Sequence, residues 1–376
     1  METNPEIVFP EKQNPLESEI YLASQWELIW RRFKRHKLAI AGLVILIIIY
    51  TMAIFCGFFS PYSPYLYNAD YINAPPQTLQ FFDQDGFHFR PFVYGYEVSR
   101  DPETFRMEYQ IDHSKKYPVY FLVRGDRYKL LGIWETDLHL FGVKEGHIFL
   151  LGADPMGRDL LSRVLYGARI STSIGFIGVF LSFVLGIGFG GISGLYGGAI
   201  DNLIQRMIEF IKSIPSIPLW MGLAAALPQD WTVIQVYFAI TIILSLKGWT
   251  GLAREVRSKF MSLREEDFIL SARLIGASKT RIITQHMIPS FLSHIIAQVT
   301  LAIPGMILGE TSLSFLGLGI RPPAISWGSL LQAAQNVRTV ALTPWLLLPG
   351  VFVIITVLAF NFLGDGLRDA ADPYGK

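Results

Sequence analysis

Charge is scarce in this chain. Only 17% of its 376 residues are Asp, Glu, Lys or Arg, where a soluble globular domain carries about 25%. The 32 basic and 31 acidic residues nearly cancel, leaving a net charge of +1. No basic field is left over to hold nucleic acid, so none is expected as a partner. Cysteine is scarcer still. The single Cys56 excludes an internal disulfide and a cysteine-based metal cluster, and its place in an apolar run reads as a core residue. The first 20 residues have no apolar stretch, so no cleavable signal peptide is expected. A nucleotide-binding loop is also missing. Gly276-Ala277-Ser278-Lys279-Thr280 has its look, but G-x-x-x-x-G-K-[ST] needs glycine where Arg273 and Ser278 stand.

What the chain does have is long uncharged runs: 51% of its residues are hydrophobic and the mean hydropathy is +0.36. Roughly 20 apolar residues cross a bilayer as a helix. Six runs are read as spans: 38–59, 170–200, 213–229, 231–246, 282–309 and 339–364, with the third and fourth parted by a turn at Pro228–Asp230. Five of the seven residues from Arg31 to Lys37 are basic and stand directly before the first run. Positive charge stays in the cytoplasm, so both termini are expected there. The stretch between runs four and five agrees, carrying Arg254, Arg257, Lys259, Arg264, Arg273, Lys279 and Arg281.

Residues 60–169 are then an extracytoplasmic insert, too long for a turn. Val119–Val123 and Tyr128–Leu131 are β-prone and read as a hairpin across Arg124-Gly125-Asp126-Arg127. The Arg-Gly-Asp triplet reads as that turn before it reads as an adhesion motif. His88, His113, His139 and His147 lack metal-ligand spacing.

The loop 254–289 is the most informative segment. Ile269, Ala272, Leu274, Ile275 and Gly276 are expected on one apolar-to-small face of a short helix that begins near Asp267. Ser271, Ala272, Gly276, Ala277 and Ser278 are small enough for a partner surface to approach closely. A helix lying in the lipid interface would carry bulkier apolar residues, so insertion into a groove on a partner protein is the better reading.

Leu270-Ser271-Ala272, Gly276 and Pro289 resemble the EAA loop of ABC-importer permeases, with Leu270 in place of an acidic or small polar residue and His286 in place of an apolar one. Three further stretches resemble the C-type permease of dipeptide, oligopeptide and nickel importers. They are Gly152 to Asp159 with Ser162-Arg163 and Gly167 to Ser171; Ser312 to Gly319 with Pro322-Pro323 and Ser326-Trp327-Gly328; and Asn361 to Asp369 with Asp372-Pro373. The insert departs from that subfamily's short loop. The resemblance implies an all-α polytopic inner-membrane protein of the type I ABC importer fold, with six transmembrane helices and a partly β insert between the first two. Its division would be 1–37 cytoplasmic, 38–59 the first span, 60–169 the insert, 170–364 the permease core with its coupling loop 254–289, and 365–376 a cytoplasmic tail. It also implies partners: a second homologous permease, two ABC ATPase subunits, an extracytoplasmic solute-binding protein and the bilayer. This chain would bind no cofactor or metal and catalyse nothing, ATP and magnesium being used by the ATPases. The solute would be a peptide or a similar small molecule. Two rival functions are an ion-gradient-driven secondary transporter and a membrane-anchored enzyme. The second lacks any convergent set of catalytic groups in the sequence.

Beside the resemblance stand residues with two readings each. Gly186, Gly188, Gly190, Gly191 and Gly194 allow close helix packing, either static or sliding. Pro215, Pro218, Pro304 and Pro349 interrupt spans, and Pro215 and Pro304 are candidates for the transport pathway. Glu209 and Lys212 read as snorkelling at the interface. Glu310 reads as a gate or a capped helix end, and His294 as a packing residue.

Overall fold

The computed structural model describes residues 25–83, 86–103 and 105–371. Residues 1–24, including the stretch expected to lack a leader, and Asp372-Pro373 lie outside them. A helix α1 (Gln25–Phe33) leads into α2 (Lys37–Ile54), whose start is capped by His36 Nδ1 accepting from the Ala39 amide at 3.1 Å. After the insert come α3 (Leu160–Tyr196), α4 (Gly198–Ser213), α5 (Ser216–Ala225), α6 (Val233–Leu263), α7 (Asp267–Leu274), α8 (Leu292–Phe315), α9 (Trp327–Leu331) and α10 (Leu348–Ala371).

Among the described residues, five helices are long and apolar enough to cross a membrane: α2, α3, α6, α8 and the segment Pro344–Ala371 that contains α10. Six were expected. The run at 213–229 yields only the 10-residue α5, about 15 Å at 1.5 Å per residue and half a bilayer core. The packing of its neighbours explains what happens there. α3 and α6 run side by side in the same direction. Tyr237 donates to Ser173 at 2.9 Å and Ser245 to the Gly178 carbonyl at 3.0 Å, while Gly186 meets Leu252, Gly190 meets Ala253 and Gly194 meets Phe260. The chain must therefore return between them, and α4 and α5 do this in tandem. Asp201 pairs with Arg257 at one end, Lys247 Nζ donates to the Ile214 carbonyl at 2.5 Å midway, and Trp220 lies beside Gly309 further on. The break falls at Pro215, which caps α5 in extended geometry. The Lys247 ammonium satisfies one of the carbonyls that the break leaves unpaired.

The glycine stripe of α3 is used for close approach. A Cβ at Gly190 would lie 2.5 Å from the Ala253 carbonyl and 2.8 Å from Val256 Cβ, whereas one at Gly188 would meet nothing within 4 Å.

The insert folds as a four-stranded antiparallel meander, β1 (Gln80–Asp83), β2 (Gly86–Arg100), β3 (Met107–Leu130) and β4 (Trp134–Val143), in the order β1-β2-β3-β4. The expected hairpin across residues 124–127 does not form. β3 runs straight through them with a register irregularity between Arg124 and Tyr128, and the chain reverses instead at Leu131–Ile133. Asp126 accepts from the Ser63 amide at 2.9 Å, and a Cβ on Gly125 would collide with His139 at 2.9 Å, so the Arg-Gly-Asp triplet is built into the sheet. His139 is buried, its ring nitrogens 2.6 Å and 2.9 Å from the Ser60 and Asp126 carbonyls. No group of three or more His, Cys, Asp or Glu stands close enough to hold a metal among the described residues.

Between sheet and helices, Asp154 gathers a turn. Its carboxylate accepts from the Met156 and Arg158 amides and pairs with Arg158 at 2.7 Å and Arg163 at 3.2 Å. Asp159 then caps α3, accepting from the Ser162 amide at 2.7 Å and its hydroxyl at 2.6 Å.

Candidate partner-docking site

The end of the bundle opposite the sheet is closed by a second apolar cluster. Leu195 from α3, Val256 and Phe260 from α6, Ile269 and Ala272 from α7, and Ile282 and Met287 from the following segment are all buried there. This cluster holds α7 in place. A helix turns 100° per residue, so Ile269 and Ala272 share a face while Leu274 stands well round from it. The single apolar face expected from the sequence is therefore split. Ile269 and Ala272 point inward, and Leu274 and Ile275 point away at 88% and 85% exposure. Phe268 and Leu270 are also exposed.

Gly276 explains the end of α7. Its φ is +84°, the left-handed region that an L side chain enters at about 1–2 kcal/mol. The Gly276 amide donates to the Arg273 carbonyl at 3.0 Å and the Ala277 amide to the Ala272 carbonyl at 3.0 Å. Those two bonds make a Schellman C-cap. Ala272 belongs to the buried cluster and the half-buried Ala277 packs against it, completing the apolar contact that such caps carry. Ser278 restarts the chain, its hydroxyl accepting from the Arg281 amide at 3.3 Å. Lys279 lies 4.0 Å over the Tyr196 ring. A π-helical turn, Ile282–Met287, leads to the exposed Pro289 and into α8. Asp267 sits in the first turn of α7, exposed like Ser271. The arrangement is a short helix anchored along one face, with exposed apolar residues at its tip.

The other candidate residues are placed elsewhere. Pro215 marks the break between α4 and α5, and Pro304 is buried inside α8. Glu310 is fully buried and partnered on both oxygens. The Ser171 hydroxyl donates to Oε2 at 2.8 Å and accepts from the Trp327 amide at 3.1 Å. The Ser314 hydroxyl donates to Oε1 at 2.7 Å and accepts from the Ile320 amide at 3.0 Å. The carboxyl group thus ties α3, α8 and α9 together through two serines. Both serines fall within the family stretches quoted from the sequence, where neither is linked to Glu310. The signal available was Ser314 four residues after Glu310, on the same helix face.

Comparison with known proteins bears on the same segments. Residues 186–374 match the family described as the binding-protein-dependent transport system inner membrane component, and residues 24–76 match the N-terminal TM domain of oligopeptide transport permease C. The dipeptide transport system permease protein DppC of Bacillus subtilis is 31% identical over 347 residues, 92% of this chain and 84% of that one. The oligopeptide permease protein OppC of the same organism is 30% identical over 351 residues, 93% and 90% of the two chains. OppC of Haemophilus influenzae is 40% identical over 230 residues, 61% of this chain and 71% of that one. Among solved structures, an inward-facing form of the MetNI methionine ABC transporter aligns with a TM-score of 0.43 at 19% identity, covering 56% of this chain and 96% of that one.

Proposed function

The chain belongs to the family of binding-protein-dependent transport inner-membrane components and is a permease subunit of such an importer, and we propose that it carries peptides by coupling a separate cytoplasmic ATPase to its spans through the stub at α7. Relatives named as dipeptide and oligopeptide permeases support the solute class. The observation that carries the coupling is the division of labour in α7. One face is buried, through Ile269 and Ala272, in the cluster that α3, α6 and the 282–287 turn share, and Leu274 and Ile275 stand free at the tip. A push on the tip is thereby passed to two long helices.

In this reading six crossings bring both termini to the cytoplasm, the α4–α5 tandem making the third. The parallel run of α3 and α6 and the basic segment Arg31–Lys37 support it. The sheet then lies outside, where a solute-binding protein would approach. A second homologous permease completes the pore, and two ATPase subunits take the stubs and use the ATP and magnesium. This chain needs no cofactor of its own, since its work is to hold and release a passage. Asp267, Ser271, Ala272, Gly276, Ala277, Ser278 and Pro289 shape the stub. Pro215 gives the third crossing its hinge, and Pro304 and Glu310 brace α8.

The test is Leu274→Asp combined with Ile275→Asp. Full burial of each side chain against a partner contributes about 1.5–3 kcal/mol. Both are exposed in the lone chain, so its thermal midpoint stays while co-purification of the ATPase and peptide uptake are lost. Uptake at the unaltered rate would contradict the coupling role.

A further inference from the structure

We infer that the β3–β4 turn, Leu131-Gly132-Ile133, is a membrane finger, inserted into the bilayer leaflet on the sheet side and closing over a phospholipid chain held against α2 and α3. The Tyr128 ring sits on Gly57, just beyond the end of α2. From there the two strands continue toward the helices through the pairs Lys129–Glu135 and Leu130–Trp134 before they turn. Three residues at about 3.3 Å each carry the tip roughly 10 Å past that level. Its depth is marked by its neighbours. Leu131 shares a groove of about 340 Å³ with Tyr50 and Ile54 of α2 and Phe176 and Ile177 of α3. Ile54 and Phe176 are exposed apolar residues on helices long enough to span, so the groove is continuous with the surface that lipid covers.

The tip suits that solvent. Ile133 is 71% and Trp134 60% exposed. Hydrocarbon offers nothing to an unpaired amide, and here two of the turn's three amides are paired within it: Gly132 N–H donates to the Lys129 carbonyl at 3.2 Å and Ile133 N–H to the Leu130 carbonyl at 3.1 Å. Polarity is graded along the strands, with apolar residues at the turn, Trp134 behind them, and the cross-strand charges Lys129 and Glu135 one step further back. Tryptophan favours the headgroup boundary. Arg169 lines the same groove and is exposed. It supplies a cation where a lipid phosphate would sit, while the apolar wall takes the acyl chain.

The inference rests on α2 being a span, and the experiment separates the two. In a Cys56→Ala background, nitroxide labels are placed on Ile133→Cys and on Ile47→Cys of α2 in the full chain. The protein is reconstituted in phosphatidylcholine–phosphatidylglycerol vesicles, and label collision with oxygen is compared with that of a water-soluble nickel complex. The label at 133 should read about 5–10 Å below the phosphates, the depth of interfacial insertion. A fully aqueous reading at 133 with a buried one at 47 overturns the finger alone, and an aqueous reading at both overturns the span as well. Shielding of 133 from both reagents, as at a protein interface, also overturns it. A second measurement leaves Cys56 in place: a photo-crosslinking amino acid at position 133 should add the mass of one phospholipid, and an adduct to protein instead would count against the inference.

Discussion

At the scale of single residues, Gly276 has a backbone role beside the one read from its size. The sequence suggested room for a partner, and the structure adds a backbone reason, because Gly276 occupies the left-handed position that ends α7. Nothing lies within 4 Å of a Cβ placed there. Gly276→Ala should therefore cost only the conformational strain, about 1–2 kcal/mol, and retain most uptake. Gly276→Arg adds a long cation at the docking tip and should abolish uptake with membrane insertion unchanged; assays of uptake and of chain in the membrane fraction check both. Asp159 makes a second prediction. Burial pushes its carboxyl from 3.8 up to about 6, against the pull of its Ser162 hydrogen bonds. The folded state thus prefers the neutral acid. The penalty is fully present above about pH 6 and is relieved as pH falls from there toward 3.8. Asp159→Asn keeps a capping oxygen and removes the titration, so its thermal midpoint should vary less than that of the unaltered chain between pH 7 and pH 4.5. Equal slopes would refute the assignment.

At the scale of elements, the long apolar helices α2, α3, α6, α8 and α10 were legible from hydropathy because nothing about them depends on a partner. The return limb was not. α4 carries Asp201, Arg206, Glu209 and Lys212, and a hydropathy window sees those charges without seeing that Asp201 pairs with Arg257 or Arg206 with Glu209. The span expected at 213–229 is therefore only the 10-residue α5, and the chain's return between α3 and α6 also uses α4. The β3–β4 reversal was misplaced for the opposite reason. Arg124-Gly125-Asp126-Arg127 has turn-forming residues inside a strand, and the real turn has Leu131 and Ile133, which look like strand. The apolar residues of α7 were seen and grouped together. Only the cluster beneath them decides that Ile269 and Ala272 face in while Leu274 and Ile275 face out. The α3–α6 contact offers an internally controlled test. Gly190→Leu forces a side chain into the Ala253 carbonyl and Val256, and overpacking of this kind costs about 1–3 kcal/mol. Gly188→Leu meets open space and should be neutral. Thermal midpoints of the two variants in detergent should differ accordingly; equal effects would mean the helices do not meet along that stripe.

At the scale of the whole molecule, a buried frame joins two specialised ends. Glu310 and its serines brace the sheet side of the bundle, and the cluster around Phe260 and Met287 fixes the stub at the other. On the proposed six crossings, a cysteine at Asp230 should react with an impermeant maleimide from the same side as one on the sheet, and one at Lys279 should not. The expectation of partners came only from the family motifs, because selectivity for a companion lies in surfaces that meet in the assembly. The central claim is that α7 hands the force of an ATPase to α3 and α6, and it can be met head-on. A photo-crosslinking amino acid at position 274, in native membranes with all subunits present, should capture a nucleotide-binding subunit in high yield. Capture of lipid alone, or of no nucleotide-binding subunit, would contradict the account.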